Sequence, residues 1–71
     1  MADNTARART ELASQRRAIR DHQRKYGIYR EPYEKEFALK TIRNAQAQIA
    51  RIKRSHPSLA RDNAPEDTWR P

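Results

Sequence analysis

Arg16, Arg20 and Arg24 recur every fourth residue, and Arg9 and Arg17 fall beside them on a helix drawn through the segment. At 100° per residue the five side chains share an arc of roughly 100°. A guanidinium presents a planar fork of N–H donors that fits phosphate or carboxylate, whereas a lysine acts as a point charge. Arginine outnumbers lysine 12 to 4 in this chain. Like charges one helical turn apart repel by roughly a few tenths of a kcal/mol per pair. Their repetition therefore points to a polyanionic partner. Lys40, Arg43, Arg51 and Arg54 make a second basic face, and no acidic residue lies between Phe37 and His56. Phosphate-backbone binding to nucleic acid or a ribonucleoprotein is the chemistry these residues suggest first. An acidic protein surface would satisfy the same groups.

A second cluster is aromatic. Tyr26, Tyr29, Tyr33 and Phe37 are interleaved with Lys25, Arg30 and Lys35. Two readings are open: Tyr33 and Phe37 close a helical turn over Ile28, or they form with Tyr29 an exposed patch for protein contact. Trp69, in a polar segment, carries the same pair of readings, a docked lid or a short anchor.

Catalysis needs a constellation that these residues do not supply. His22 and His56 stand 34 residues apart, and Asp21 and His22 are neighbours whose side chains diverge on a helix. Ser14 has no oxyanion site or pocket implied near it. The single glycine argues against a phosphate-cradling loop, and the absence of cysteine removes disulfides and thiolate metal sites. The expectation is a protein without enzymatic activity, metal, cofactor or small-molecule substrate.

The elements that must position these groups are helices. Ala8, Leu12, Gln15, Ile19, His22 and Tyr26 recur at spacings of three and four and fall within an arc of about 80°. Asn4 or Thr5 can cap this helix, and Gly27 is expected to end it in a left-handed conformation with Ile28 packed beyond. Helix one is thus predicted over 5–26. Pro32 suits a first turn, with Glu31, Glu34 and Glu36 at the positive end of the dipole. Ala38, Ile42, Ala45, Ile49 and Ile52 form the second seam, and Pro57 sets the stop, so helix two is predicted over 32–55. A connection of about five residues makes the two antiparallel neighbours. Residues 1–4 read as a polar lead, 5–56 as an all-α antiparallel hairpin and 57–71 as an extended tail. In that tail Arg61 and Arg70 stand against Asp62, Glu66 and Asp67, with Leu59 and Trp69 the only large apolar groups. It is expected either to be disordered or to fold back with Trp69 docked.

Size constrains the rest. A chain of 71 residues with a formal charge of +7 allows one small domain. Leu12, Ile19, Tyr26, Ile42, Ile49 and Ile52 are too few to hold a lone hairpin comfortably, so the reading adds a homodimer, a four-helix bundle closed over this seam. In it the seam's Gln15 and His22 either fix register or lie at a frayed edge. No apolar run approaches the ~20 residues that span a bilayer, nor is there a secretory h-region. The expectation is a soluble cytoplasmic protein with no membrane association.

The segment from Arg7 to Lys25 resembles, in arginine density, the arginine-rich RNA-binding helices of phage antiterminators. Ile49-Ala50-Arg51-Ile52-Lys53 is similar to the second helix of a small ribosomal hairpin protein over those five residues. Helix–turn–helix DNA readout does not fit, because the helices are too long and no third helix supports them. The leading expectation is a basic hairpin that binds nucleic acid or a ribonucleoprotein through its arginine face. The alternative is a small inhibitor or regulator docking on an acidic surface of a host protein. Phage and mobile-element proteins of the anti-CRISPR or anti-activator kind resemble such a protein in size and shape.

Overall fold

A computed structural model describes residues 4–71, and among them there is no strand. Helix α1 spans Asn4–Ile28 and α2 spans Pro32–Ser55, followed by two single 3-10 turns, Pro57–Leu59 and Pro65–Thr68. The hairpin and its tail form a rod of 48 × 17 × 15 Å. The polar lead expected at residues 1–4 lies outside the described residues except for Asn4, where α1 begins.

Both helices follow their seams. Leu12, Ile19, Ile42, Ala45 and Ile49 pack together between them, all but removed from water. Ala8 and Ile52 continue the seam toward the open end of the hairpin. Helix α2 has the predicted limits. Glu31 is extended, with ψ 133°, as a residue before proline must be, and Pro32 opens the helix without needing an N–H donor. At the far end His56 N–H closes the last turn on the Ile52 carbonyl at 3.0 Å. Pro57 then prevents continuation.

The end of α1 differs from expectation. Gly27 is helical rather than left-handed, no residue has positive φ among those described, and the helix runs on to Ile28. Tyr29 N–H donates to the Lys25 carbonyl at 2.9 Å, so the last turn closes without a glycine cap. A Cβ at Gly27 would meet nothing within 4 Å. Gly27→Ala should therefore stabilise the fold by about 0.5–1 kcal/mol by restricting the unfolded chain, a gain readable in a denaturant titration.

The tail is not extended. Leu59, 1% exposed, plugs the open end of the hairpin against Ala8 and Ile52. The chain then runs back along one groove between α1 and α2. Trp69 packs on the main core cluster and meets the Tyr26 ring edge-on, with centroids 5.8 Å apart. The tail thus acts as a third wall, and the seam is buried within one chain. His22 Nδ1–H donates to the Ala18 carbonyl at 2.8 Å, so this half-buried side chain is satisfied locally.

Candidate nucleic-acid interface

The tail divides the arginines of α1 into two sets. Arg16 lies on the flank beside the seam, where the tail passes. Its Nε and Nη2 grip the Asp67 carboxylate at 2.9 and 2.8 Å, while Nη1 meets Asp62 Oδ1 at 3.2 Å and Nη2 also reaches the Asp62 carbonyl at 2.6 Å. Arg20, one turn on, pairs with Glu66 at 3.1 Å. From α2, Lys53 donates to Asp67 and to Asn63 Oδ1, both at 2.8 Å. Gln46 clamps the end of the tail. Its amide N–H groups donate to the Glu66 and Trp69 carbonyls at 3.1 and 3.0 Å, and its Oε1 accepts from Arg70 at 2.9 Å.

The three tail carboxylates therefore meet three hairpin cations. Arg16, placed by the sequence among partner-binding groups, has only 13% of its side chain exposed and serves the fold. Arg20 keeps about half its surface in water while paired to Glu66. Lys53, Gln46, Asp62, Glu66 and Asp67 were not legible as site residues, because no helical period links the tail to the hairpin. A weak signal existed: Arg16, Arg20, Gln46 and Lys53 all project about 60–120° from their seams, the flank on which a third element packs.

Asp67 anchors this network. Burial alone would push its carboxyl pKa upward, yet hydrogen bonds from Arg16, Lys53 and the Ala64 N–H outweigh that and hold it at about 2, below its ordinary 3.8. Bonding to Asp67 likewise raises the Arg16 guanidinium pKa further above its usual value. Because the folded pKa is depressed, the stabilisation is complete above the ordinary carboxylate range and fades as pH falls from about 4 toward 2. At roughly 1.4 kcal/mol per pKa unit it amounts to about 2 kcal/mol. The melting temperature should drop as pH falls from about 5 to about 2, and Asp67→Asn should flatten that dependence.

The second set stays free. Arg9, Arg17 and Arg24 are exposed along α1, without an ion-pair partner among the described residues. Shallow depressions of about 380 and 520 Å³ flank Arg17, one shared with Arg20 and Arg24, the other with Arg9. Lys40, Arg43, Arg51 and Arg54 are likewise exposed along α2. At 1.5 Å per residue each row runs about 20 Å. The rows lie on opposite outer sides of the hairpin.

The aromatic residues do not close the tip. Ile28, Tyr33 and Phe37 are exposed by 69%, 69% and 67%, and Tyr29 is half-buried. Tyr29, Tyr33, Glu34 and Phe37 line a groove of about 270 Å³. Tyr26 belongs instead to the tail contact, with Lys35 Nζ 5.1 Å above its ring. Trp69 is docked, the lid of the two sequence alternatives.

No group of His, Asp or Glu among the described residues is arranged to hold a metal ion. No described helix is long and apolar enough to cross a membrane. No protein-family model, curated protein or solved structure matches the chain.

Proposed function

We propose that this protein is a non-enzymatic binding module whose two outer rows of cations engage the phosphate backbone of nucleic acid, free or within a ribonucleoprotein. The observation that carries this reading is the division of labour among the cations. The tail's carboxylates neutralise the inner set, while Arg9, Arg17 and Arg24 on α1, and Lys40, Arg43, Arg51 and Arg54 on α2, stay exposed and unpaired. Carrying so many like charges on a small body costs self-repulsion that a polyanion would relieve.

The placement also argues for backbone contact over base readout. A body of 17 × 15 Å is wider than the ~12 Å major groove that admits a single helix. Rows on opposite sides instead suit phosphates on two flanks, as in folded RNA or across a duplex groove.

The test is binding of a labelled mixed-sequence DNA duplex and a structured RNA over a salt series. The affinity should fall steeply with salt and depend little on sequence. Reversing Arg9, Arg17 and Arg24 together to Glu should cut affinity at least ~100-fold and reduce the log–log salt slope by about two to three, at about 0.9 per lost contact. The fold should survive, since none of the three is paired internally. Absence of binding at low salt would remove this reading and leave the acidic host-protein surface, the inhibitor reading, as the target of the same rows.

Self-association enters as a proposal too. A four-helix bundle over the seam needs an apolar face, and the tail already covers one groove, so a dimer has to use another surface.

A further inference from the structure

The hairpin tip is the one area of large exposed apolar side chains among the described residues, and its charge differs from that of the outer helix faces. We infer that the tip is a self-complementary contact that pairs two copies of this chain end to end.

Three observations carry the choice of occupant. The first is shape. The groove of about 270 Å³ bounded by Tyr29, Tyr33 and Phe37 stands at the same end as the exposed Ile28. A symmetric contact needs both a hole and a knob on one surface.

The second is area. An aromatic side chain offers roughly 150–250 Å², so Ile28, Tyr33 and Phe37 at two-thirds exposure present on the order of 400 Å². A standard interface hides about 800 Å² per partner, somewhat over half of it apolar. The patch is close to that apolar share.

The third is charge. Residues 28–37 hold Arg30 and Lys35 against Glu31, Glu34 and Glu36, a local excess of one carboxylate in a chain of net +7. No ion pair joins these carboxylates to a described residue. Along the outer rows of α1 and α2 two copies would meet cation against cation. Only at the tip does a two-fold contact set Arg30 of one copy against the glutamates of the other. The pairing would also place the arginine rows of two copies along one longer rod, although it does not depend on what those rows bind.

The experiment is sedimentation equilibrium of the full chain, free of nucleic acid, from ~5 to ~500 μM at moderate salt. The wild type should pass from monomer to dimer in this range. Phe37→Glu and Tyr33→Glu should each raise the dimer dissociation constant at least tenfold without changing the melting temperature of the monomer. Arg30→Glu and Glu34→Arg should each weaken the dimer, and the double exchange should restore it. A wild type that stays monomeric to the highest concentration overturns the inference, as does a dimer indifferent to all four substitutions. Neither outcome bears on nucleic-acid binding, which the salt series reads separately.

Discussion

Asp67→Asn should lower the melting temperature by about 10–20 °C, the largest effect expected of any single polar substitution. The replacement keeps the shape and removes the charge that Arg16 and Lys53 share. Side-chain exposures of 7% for Asp67, 13% for Arg16 and 16% for Lys53 mean that little solvent can take its place. Removing one member of a largely buried ion pair typically costs about 3–5 kcal/mol, because the remaining charges are left uncompensated. Asp62 still contacts Arg16, which brings the expectation down to about 2–3 kcal/mol, at roughly 4–8 °C per kcal/mol for a domain of this size. Asp62→Asn is the control. Its side chain is 45% exposed, and an exposed pair contributes about 1 kcal/mol or less. Thermal melts of the two variants at neutral pH make the comparison, and equal losses would mean that Asp67 is not the anchor.

Leu59→Ala should cost a further distinct amount, about 2–4 kcal/mol, and should release the tail before the hairpin melts. Leu59 is 1% exposed and lies against Ala8 and Ile52. Alanine in its place leaves a void that small Ala8 cannot fill, and the penalty of such voids comes on top of the lost burial. The consequence reaches the other end of the tail. Between them Asp62 and Asn63 make only polar contacts, to Arg16 and Lys53, so Leu59 and Trp69 are the two apolar anchors that hold the acidic segment in register. Trp69 is the only tryptophan, which makes its emission a direct reporter. In the variant its fluorescence should move to the red at a lower temperature than the loss of helical circular dichroism. Coincident transitions shifted by less than ~0.5 kcal/mol would show that Leu59 does not hold the tail.

What the sequence disclosed follows from where periodicity exists. A four-three repeat of apolar residues placed Leu12, Ile19, Ile42, Ile49 and Ile52 in the core, and proline chemistry located both ends of α2. Gly27 misled because a lone glycine reads as a stop. The turn is set instead by the extended backbone that Pro32 imposes on Glu31. The tail was opaque for a different reason. Its order comes from two short 3-10 turns and single side-chain anchors, none of which repeats.

The basic residues show the same boundary. An arc of roughly 100° joins Arg9, Arg16, Arg17, Arg20 and Arg24 on paper, and nothing within α1 separates them. The tail does, by bringing its carboxylates to Arg16 and Arg20. The aromatic tip is legible in the sequence as a cluster, with closure and exposure both open. Ile28, Tyr33 and Phe37 each keep about two-thirds of their surface in water, so closure over Ile28 does not occur.

Two adjacent arginines separate the inner cations from the outer ones. Arg16 and Arg17 differ by one position and, on this account, by their entire role. Arg16→Gln and Arg17→Gln should be compared by salt-dependent binding to one duplex, with a melt of each protein alongside. Arg17→Gln should reduce the salt slope by about 0.9 and leave the melting temperature almost unchanged. Arg16→Gln should lower the melting temperature by roughly 10 °C or more and leave the slope of the folded protein as it was. If Arg16→Gln takes the slope and Arg17→Gln takes the stability, or if neither moves the slope, the division between inner and outer cations is contradicted.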